Sequence, residues 1–219
     1  MEAGDISRQE ILRYLGARRP GSWDEPLELL VEDCIGELFS KAEPRHIVRE
    51  FPLILKENGE IDGGCFCTRS RNLYKNLRDC SRVLAFAATL GTGVDQLLRR
   101  YSILEMSRAV VLQAAAAAAI EEYCDQVCRK LREEYESQGW FLRPRFSPGY
   151  GDFSLECQPA LLHGLEAGKR IGVKLTDSFL MMPSKSVTAG MGMSKIPDRC
   201  RLEGCAACGK TDCACRRET

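Results

Sequence analysis

The longest helical pattern in the chain, Val94–Tyr135, most strongly limits how the rest of the chain can fold. Apolar residues recur at helical spacing near its start, and Ala114–Ala119 combines high helix propensity with the absence of bulky side chains. Such small side chains let another stretch of backbone, or a flat ligand, approach the helix closely. A break near Ser102–Ser107 would divide the pattern in two. The sequence therefore predicts one long helix, or two in succession, with a face that accepts a close neighbour.

Strand patterns lie on both sides of this helical stretch. Val83–Thr89 is a continuous apolar run bounded by polar residues, which predicts a buried central strand. Arg45–Leu55 has the period of a strand with a bend at Pro52, and Trp140–Phe146 and Ser186–Met193 are further strand candidates. Shorter helices are predicted over Ile6–Gly16, Glu25–Lys41, Ser70–Cys80 and Leu155–Gly168. Because helices and strands do not alternate as regular βαβ units, the predicted fold class is α+β.

Length and charge narrow the class of protein. The 219 residues suffice for one sizeable domain, and 31 lysines and arginines balance 31 aspartates and glutamates. Without net positive charge there is no broad electrostatic argument for binding nucleic acid. The longest apolar run, Ala114–Ile120, is far shorter than the roughly 18–20 residues that span a bilayer. Since Met1–Glu10 lacks the apolar core of a signal peptide, we expect a cytoplasmic protein with no membrane partner.

The cysteines are unevenly distributed. Five of the twelve lie after Lys195, where apolar content falls and the chain becomes basic. We place a boundary there, between a domain over residues 1–194 and a cysteine-rich tail over residues 195–219. Four thiolates can hold Zn²⁺ or an iron–sulfur cluster, and a metal could organise a segment too poor in apolar residues to fold by burial. A reactive or disulfide-forming tail and a disordered tail are the alternatives. The candidate metal ligands are Cys200, Cys205, Cys208, Cys213 and Cys215.

The segment Arg145–Tyr150 has the chemistry of a binding loop. Pro148 fixes its backbone φ and Gly149 permits a turn, so the loop can be sharply shaped. Arg145 presents a planar fork of donors suited to a carboxylate, and the ring of Tyr150 could lie against an adenine or a sulfonium. The alternative is a structural loop, in which the arginine pairs with a carboxylate of the protein and the tyrosine packs inward.

Three motifs in succession resemble the activation domain of cobalamin-dependent methionine synthase. The family pattern is Arg-x-x-x-Gly-Tyr, an intervening helix, Lys-Leu-Thr-Glu-Ser, and then Pro-x-x-Ser-Val-Ser-Gly. This chain has Arg145–Tyr150, a predicted helix, Lys-Leu-Thr-Asp-Ser over Lys174–Ser178, and Pro-Ser-Lys-Ser-Val-Thr-Ala over Pro183–Ala189. The order and the separations agree with the family, and weaker similarity extends the resemblance over residues 5–193.

The resemblance implies a curved, mainly antiparallel sheet flanked by helices, with a site for S-adenosylmethionine. In the family, the arginine, the Pro-Gly turn and the tyrosine contact the ligand, and a helix glutamate lies near its amino group. The third motif lies against the same site. The site residues implied here are Arg145, Pro148, Gly149, Tyr150, Glu121 or Glu122, Ser186, Val187, Thr188 and Ala189.

The resemblance also implies a function that depends on a partner. In the family, one electron and a methyl group from S-adenosylmethionine restore an inactive cob(II)alamin. Cobalt is the nucleophile, so no catalytic side chain is predicted; the protein holds the donor and docks over the corrin. The expected partners are a separate B12-dependent methionine synthase or corrinoid protein, and a flavodoxin or ferredoxin as electron donor. The alternative is a metal-binding or redox interaction protein that kept the fold without binding S-adenosylmethionine.

Overall fold

The computed structural model describes residues 3–16 and 25–197, which form the predicted α+β fold with antiparallel sheets. The helices are α1 (Arg8–Tyr14), α2 (Glu25–Lys41), α3 (Arg71–Asn76), α4 (Thr92–Leu104), α5 (Met106–Ser137), α6 (Gln158–Gly164) and α7 (Ala167–Arg170). The strands are β1 (Arg45–Pro52), β2 (Ile54–Leu55), β3 (Glu60–Asp62), β4 (Cys67–Arg69), β5 (Arg82–Thr89), β6 (Phe141–Leu142), β7 (Lys174–Leu175), β8 (Met181–Met182) and β9 (Ser186–Ser194). Two 3₁₀ turns, Ala3–Asp5 and Leu155–Cys157, complete the described elements.

A four-stranded antiparallel sheet of order β1-β5-β9-β6 forms the centre. Strand β5 lies between β1 and β9, so that Ala87 opposes Ile47 on one side and Thr188 on the other. All but the first residue of β5 is buried, as its apolar sequence predicts. Two small sheets accompany the central one, a three-stranded sheet of order β2-β3-β4 and the β7-β8 hairpin.

The central sheet separates two apolar cores, because successive side chains of a strand point to opposite faces. On one face, Leu84, Phe86 and Ala88 pack with the large helices α2, α4 and α5. On the other face, Val83 and Ala85 join the core formed with α3, α6 and the small sheet.

The helical stretch that dominates the sequence divides into α4 and α5. Glu105 is the extended residue between them, with φ −157° and ψ 97°, so of the two alternatives the structure has two helices in succession. Of the six residues Ala114–Ala119, five are buried in the core that α5 shares with the other helices and the sheet, and Ala117 is half-buried. Since their methyl groups leave little bulk, α5 can lie close over the central strands.

Several predicted elements have different bounds in the structure; the helix predicted over Ser70–Cys80, for example, is Arg71–Asn76. The Arg45–Leu55 strand is interrupted at Leu53, after the expected bend, and its two parts belong to different sheets. The single helix predicted over Leu155–Gly168 is wrong, because Glu166 adopts a left-handed conformation (φ +52°) that ends one helix and starts another. Within Trp140–Phe146, only Phe141–Leu142 forms a strand, followed by an isolated bridge at Phe146.

Of the seven cysteines among the described residues, Cys67 is exposed, Cys65 and Cys80 are half-buried, and four are buried. Cys34, Cys124, Cys128 and Cys157 are buried, and the 3–16 and 25–197 ranges contain no group of three or more potential ligand side chains placed to hold a metal. The five tail cysteines lie outside the described residues, so the metal site and the boundary near residue 194 stay predictions.

In the described part of the chain, no helix has the length and apolar character to cross a membrane.

Candidate functional site

A bulge in the strand before the binding loop determines where Arg145 points. The chain takes four steps from Leu142 to Phe146, whereas β9 takes three between their partners, Met193 and Gly190. An extra residue of this kind bends a strand and re-aims the side chains beyond it, and Pro144 lies within the bulge. Arg145 is thereby turned toward α5.

Arg145 lies between two carboxylates of α5. Its Nη2 donates to Asp125 Oδ1 at 2.6 Å and to Glu121 Oε2 at 3.3 Å, and the two acids are one helical turn apart. Only 17% of the arginine side chain is exposed, compared with 34% for Glu121 and 41% for Asp125. Burial opposes the charge, but the carboxylates of Glu121 and Asp125 act in the opposite direction, and the pKa of Arg145 is raised. The guanidinium is therefore a fixed, permanently charged group, and the two carboxylates on its more exposed side give the cluster a net negative charge.

The loop after Arg145 is shaped by its glycines and anchored by an aspartate. Gly149 has φ +86°, and its N–H donates to Phe153 O at 2.7 Å. The Asp152 carboxylate accepts hydrogen bonds from the Ser70 hydroxyl and from the first backbone N–H groups of α3. These donors lower the pKa of Asp152, the Ser70 hydroxyl most of all. Asp152 thus holds the loop against α3, a role that the sequence motif does not reveal.

Tyr150 is at the surface. Its side chain is 61% exposed, and its ring meets that of Phe146 edge-on with centroids 6.2 Å apart. The two halves of the structural-loop alternative therefore have different outcomes: Arg145 does pair with protein carboxylates, whereas the tyrosine does not pack inward. A large aromatic ring held at the surface by another ring can stack on a flat ligand at small entropic cost.

The start of β9 contributes backbone rather than side chains to this edge of the sheet. Ser186, Thr188 and Ala189 are buried and Val187 is half-buried; the Ser186 hydroxyl donates to Pro183 O at 2.7 Å and contacts Thr89 Oγ1. Gly190 exchanges both backbone hydrogen bonds with Phe146 at 2.9 Å. Because N–H and C=O directions alternate along a strand, those of Thr188 point to the same side as those of Gly190.

The residues just before β9 connect it to the helical layer. The Asp95 carboxylate of α4 accepts from both the N–H and the hydroxyl of Ser184, at 2.8 and 2.6 Å. Lys185 Nζ donates to Gln113 O of α5 at 3.4 Å. Burial lowers the pKa of Lys185, although the nearby Asp95 acts in the opposite direction. These contacts explain the polar residues of the third motif as structural links between β9, α4 and α5.

The structure brings together some of the predicted site residues and adds one. Glu121 meets Arg145, whereas Glu122 accepts from Gln126 Nε2 at 3.1 Å along the helix. Asp125 was not predicted, although its position four residues after Glu121 places both on one helix face. None of these distances involves a ligand, so the assignment of binding residues stays a prediction.

Comparison with known proteins adds evidence about the fold. No family model matches the sequence, and no curated protein matches it either. Among solved structures, the chain is similar to a MetH reactivation domain bound to AdoHcy, with a TM-score of 0.61 and 18% identity over 88% of this chain and 76% of that one. The chain has a fold similar to that of a MetH reactivation domain. The resemblance inferred from the three motifs is therefore confirmed for the fold, and identity this low leaves ligand and partner to be argued from the site.

Proposed function

We propose that this protein binds S-adenosylmethionine at the β6 edge of the central sheet and presents its methyl group to the cobalt of a separate corrinoid protein. The observation that carries the proposal is the partly buried Arg145 between Glu121 and Asp125. It occurs in a fold similar to that of a domain solved with AdoHcy, the demethylated counterpart of this methyl donor.

The charges of this cluster complement those of the ligand. S-adenosylmethionine carries a carboxylate, an ammonium and a sulfonium, so its net charge near neutral pH is positive. The cluster has one guanidinium and two carboxylates, so its net charge is negative. In the bound state, the ligand carboxylate would accept from the guanidinium while Glu121 and Asp125 face the two cationic groups. A plain anion would meet two like charges at the same place and be rejected.

The loop and the strand edge would supply the remaining contacts. The exposed ring of Tyr150 offers a stacking surface for the adenine or a cation–π contact for the sulfonium. Pro148 and Gly149 bring the turn of the loop close to the ligand, and the backbone of Ser186–Ala189 would lie along its other side. Val187, which is half-buried, would add some apolar surface beneath it.

The work of this chain in the reaction would be to hold and align the donor. Cobalamin, bound by the partner, supplies the nucleophile for methyl transfer. Arg145 and Glu121 would fix the amino-acid end of the ligand while Asp125 faces the sulfonium, so that the methyl group is held toward the partner. This is the task of a module that supports reductive methylation of cob(II)alamin in a B12-dependent methionine synthase or related corrinoid methyltransferase, with a flavodoxin or ferredoxin as electron donor.

We also propose that Cys200, Cys205, Cys208, Cys213 and Cys215 bind zinc or an iron–sulfur cluster. A cluster would suit a reaction that needs an electron. Metal analysis and an absorption spectrum of anaerobically purified protein test this part separately. A colourless, metal-free preparation would contradict it without bearing on ligand binding.

Calorimetric titration with S-adenosylmethionine tests the main proposal. We expect saturable binding by the wild type and at least tenfold weaker binding by Arg145→Ala, because a charge-assisted hydrogen bond is lost. Arg143→Ala is the matched control: it removes the same charge two residues away, from a side chain that donates to Arg78 O instead. No binding by the wild type at millimolar ligand would contradict the proposal and favour a protein that kept the fold without the ligand.

A further inference from the structure

The opposite edge of the sheet contains a groove that the proposed function does not use. It has a volume of about 690 Å³ and lies between β1, the turn at Gly64-Cys65 and the α6–α7 junction. This volume is in the range of sites for small molecules. Since β1 and β6 are the two edges of the four-stranded sheet, the groove is separate from the Arg145 cluster.

Part of the lining of the groove is apolar. Phe51 and Leu162 line it, together with Cys65. Gly164 packs directly against Cys65: a Cβ on the glycine would be 2.5 Å from Cys65 Cβ, which is too close for any larger residue. Burial raises the pKa of the Cys65 thiol to about 11, so the thiol is neutral at physiological pH and contributes apolar surface.

The rim of the groove is cationic. Arg49 and Lys169 both line it, and neither forms an ion pair with a carboxylate among residues 3–16 and 25–197. Glu166, the acidic residue of the lining, is paired with Arg170 at 3.2 Å. The pairing with Arg170 lowers the pKa of Glu166, and the positive charges of Lys169 and Arg49 lower it further. Lys169 and Arg49 therefore lie close enough to Glu166 to interact with it electrostatically. Three cations around one carboxylate leave an excess of positive charge.

Arg49 is also held in place for binding. Its Nη1 donates to Gly164 O at 3.0 Å, and its guanidinium lies 5.4 Å from the centre of the Phe51 ring. One of five N–H donors is used by that hydrogen bond, and the planar fork suits the oxygens of a phosphate. Fixing the group in advance reduces the entropy that a ligand must overcome.

We infer that this groove binds a small organic phosphate. The phosphate group lies between Arg49 and Lys169, and its apolar portion lies along Phe51 and Leu162. The site is independent of the proposed binding of S-adenosylmethionine, because the cationic donor would be repelled from this rim.

Titration of the full chain with phenyl phosphate, followed by calorimetry and by amide NMR spectra, tests the inference. We expect saturable binding that shifts the amide signals of Gly64, Gly164 and Gly168, and that is tighter than binding of inorganic phosphate. Arg49→Gln and Lys169→Gln should each weaken it about tenfold or more. Glu166→Gln should strengthen it several-fold by removing the acidic group.

Lys75→Gln is the control, because it removes the same charge from an exposed position on α3 outside the groove. It should change the affinity by less than twofold. Equal weakening by Lys75→Gln and Lys169→Gln would overturn the inference in favour of general electrostatic attraction. Absence of binding at about 10 mM phenyl phosphate, or equal affinity for inorganic phosphate, would overturn it as well.

Discussion

The two edges of the central sheet present arginines in opposite charge environments. At the β6 edge, Arg145 is enclosed by two carboxylates, so the cluster is acidic overall. At the β1 edge, Arg49 shares its groove with Lys169, and the lining carboxylate Glu166 is already paired. Under the two proposals, the same guanidinium would favour a ligand of net positive charge at one edge and an anion at the other. What an arginine recognises depends on the residues that neutralise it.

The largest difference expected between the edges is in stability. Arg145→Ala would leave Glu121 and Asp125 as adjacent like charges beside a partly apolar cavity, and should lower the free energy of unfolding by about 1–2 kcal/mol after allowance for their exposure. Arg49→Ala leaves no carboxylate unpaired and should cost about half as much or less. Urea unfolding of both variants measures the two changes in the free energy of unfolding. Equal decreases would show that the charge environments of Arg145 and Arg49 do not differ in their effect on stability.

A smaller effect should separate two ligands at the β6 edge. Asp125→Asn removes one negative charge facing the sulfonium, so it should weaken S-adenosylmethionine about two- to fivefold, the size of one partly exposed charge contact. AdoHcy lacks the sulfonium charge and should be affected less. Competition titrations of the two ligands measure the ratio of their affinities. If the variant changes both affinities by the same factor, Asp125 does not recognise the sulfonium.

The smallest effect concerns the anchor of the binding loop. Asp152 caps α3, so Asp152→Ala should destabilise the protein by about 0.5–1 kcal/mol at pH 7. The pKa of Asp152 is depressed in the folded protein, so its contribution is present above the unfolded value of about 3.9 and is lost as the pH falls through the folded value. The difference between wild type and variant should therefore shrink in unfolding curves as the pH is lowered through the folded pKa, and should be absent below it. A difference that persists there would require another explanation of the cap.

Local patterns predicted much of the fold. The apolar run of β5 predicted its position, because a strand that is buried on both faces needs apolar side chains throughout. The alanines of α5 predicted a close neighbour, because only small side chains allow the helix to approach the sheet closely. The sequence allowed a break near Ser102–Ser107 but did not decide between one helix and two; the structure places the break at Glu105. The left-handed Glu166 was not predictable, since a glutamate in that conformation has no local signature and is imposed by the packing of α6 and α7.

The site was less predictable than the fold. The three motifs identify Arg145, but its direction depends on a bulge that only the pairing of Leu142 and Phe146 with β9 reveals. Its partner Asp125 is distant in sequence and belongs to no motif. The groove at β1 has no motif either, because Phe51, Cys65 and Gly164 are brought together only by tertiary contacts.

Mapping the S-adenosylmethionine contact on the amide NMR spectrum of the full chain tests the central claim most directly, because it locates the ligand at one edge or the other. We predict that the signals of Gly149, Gly151 and Gly190 shift on titration, whereas those of Gly64, Gly164 and Gly168 remain unchanged. Shifts confined to the second set, or the absence of shifts at saturating ligand, would contradict the assignment of the methyl-donor site to the Arg145 edge.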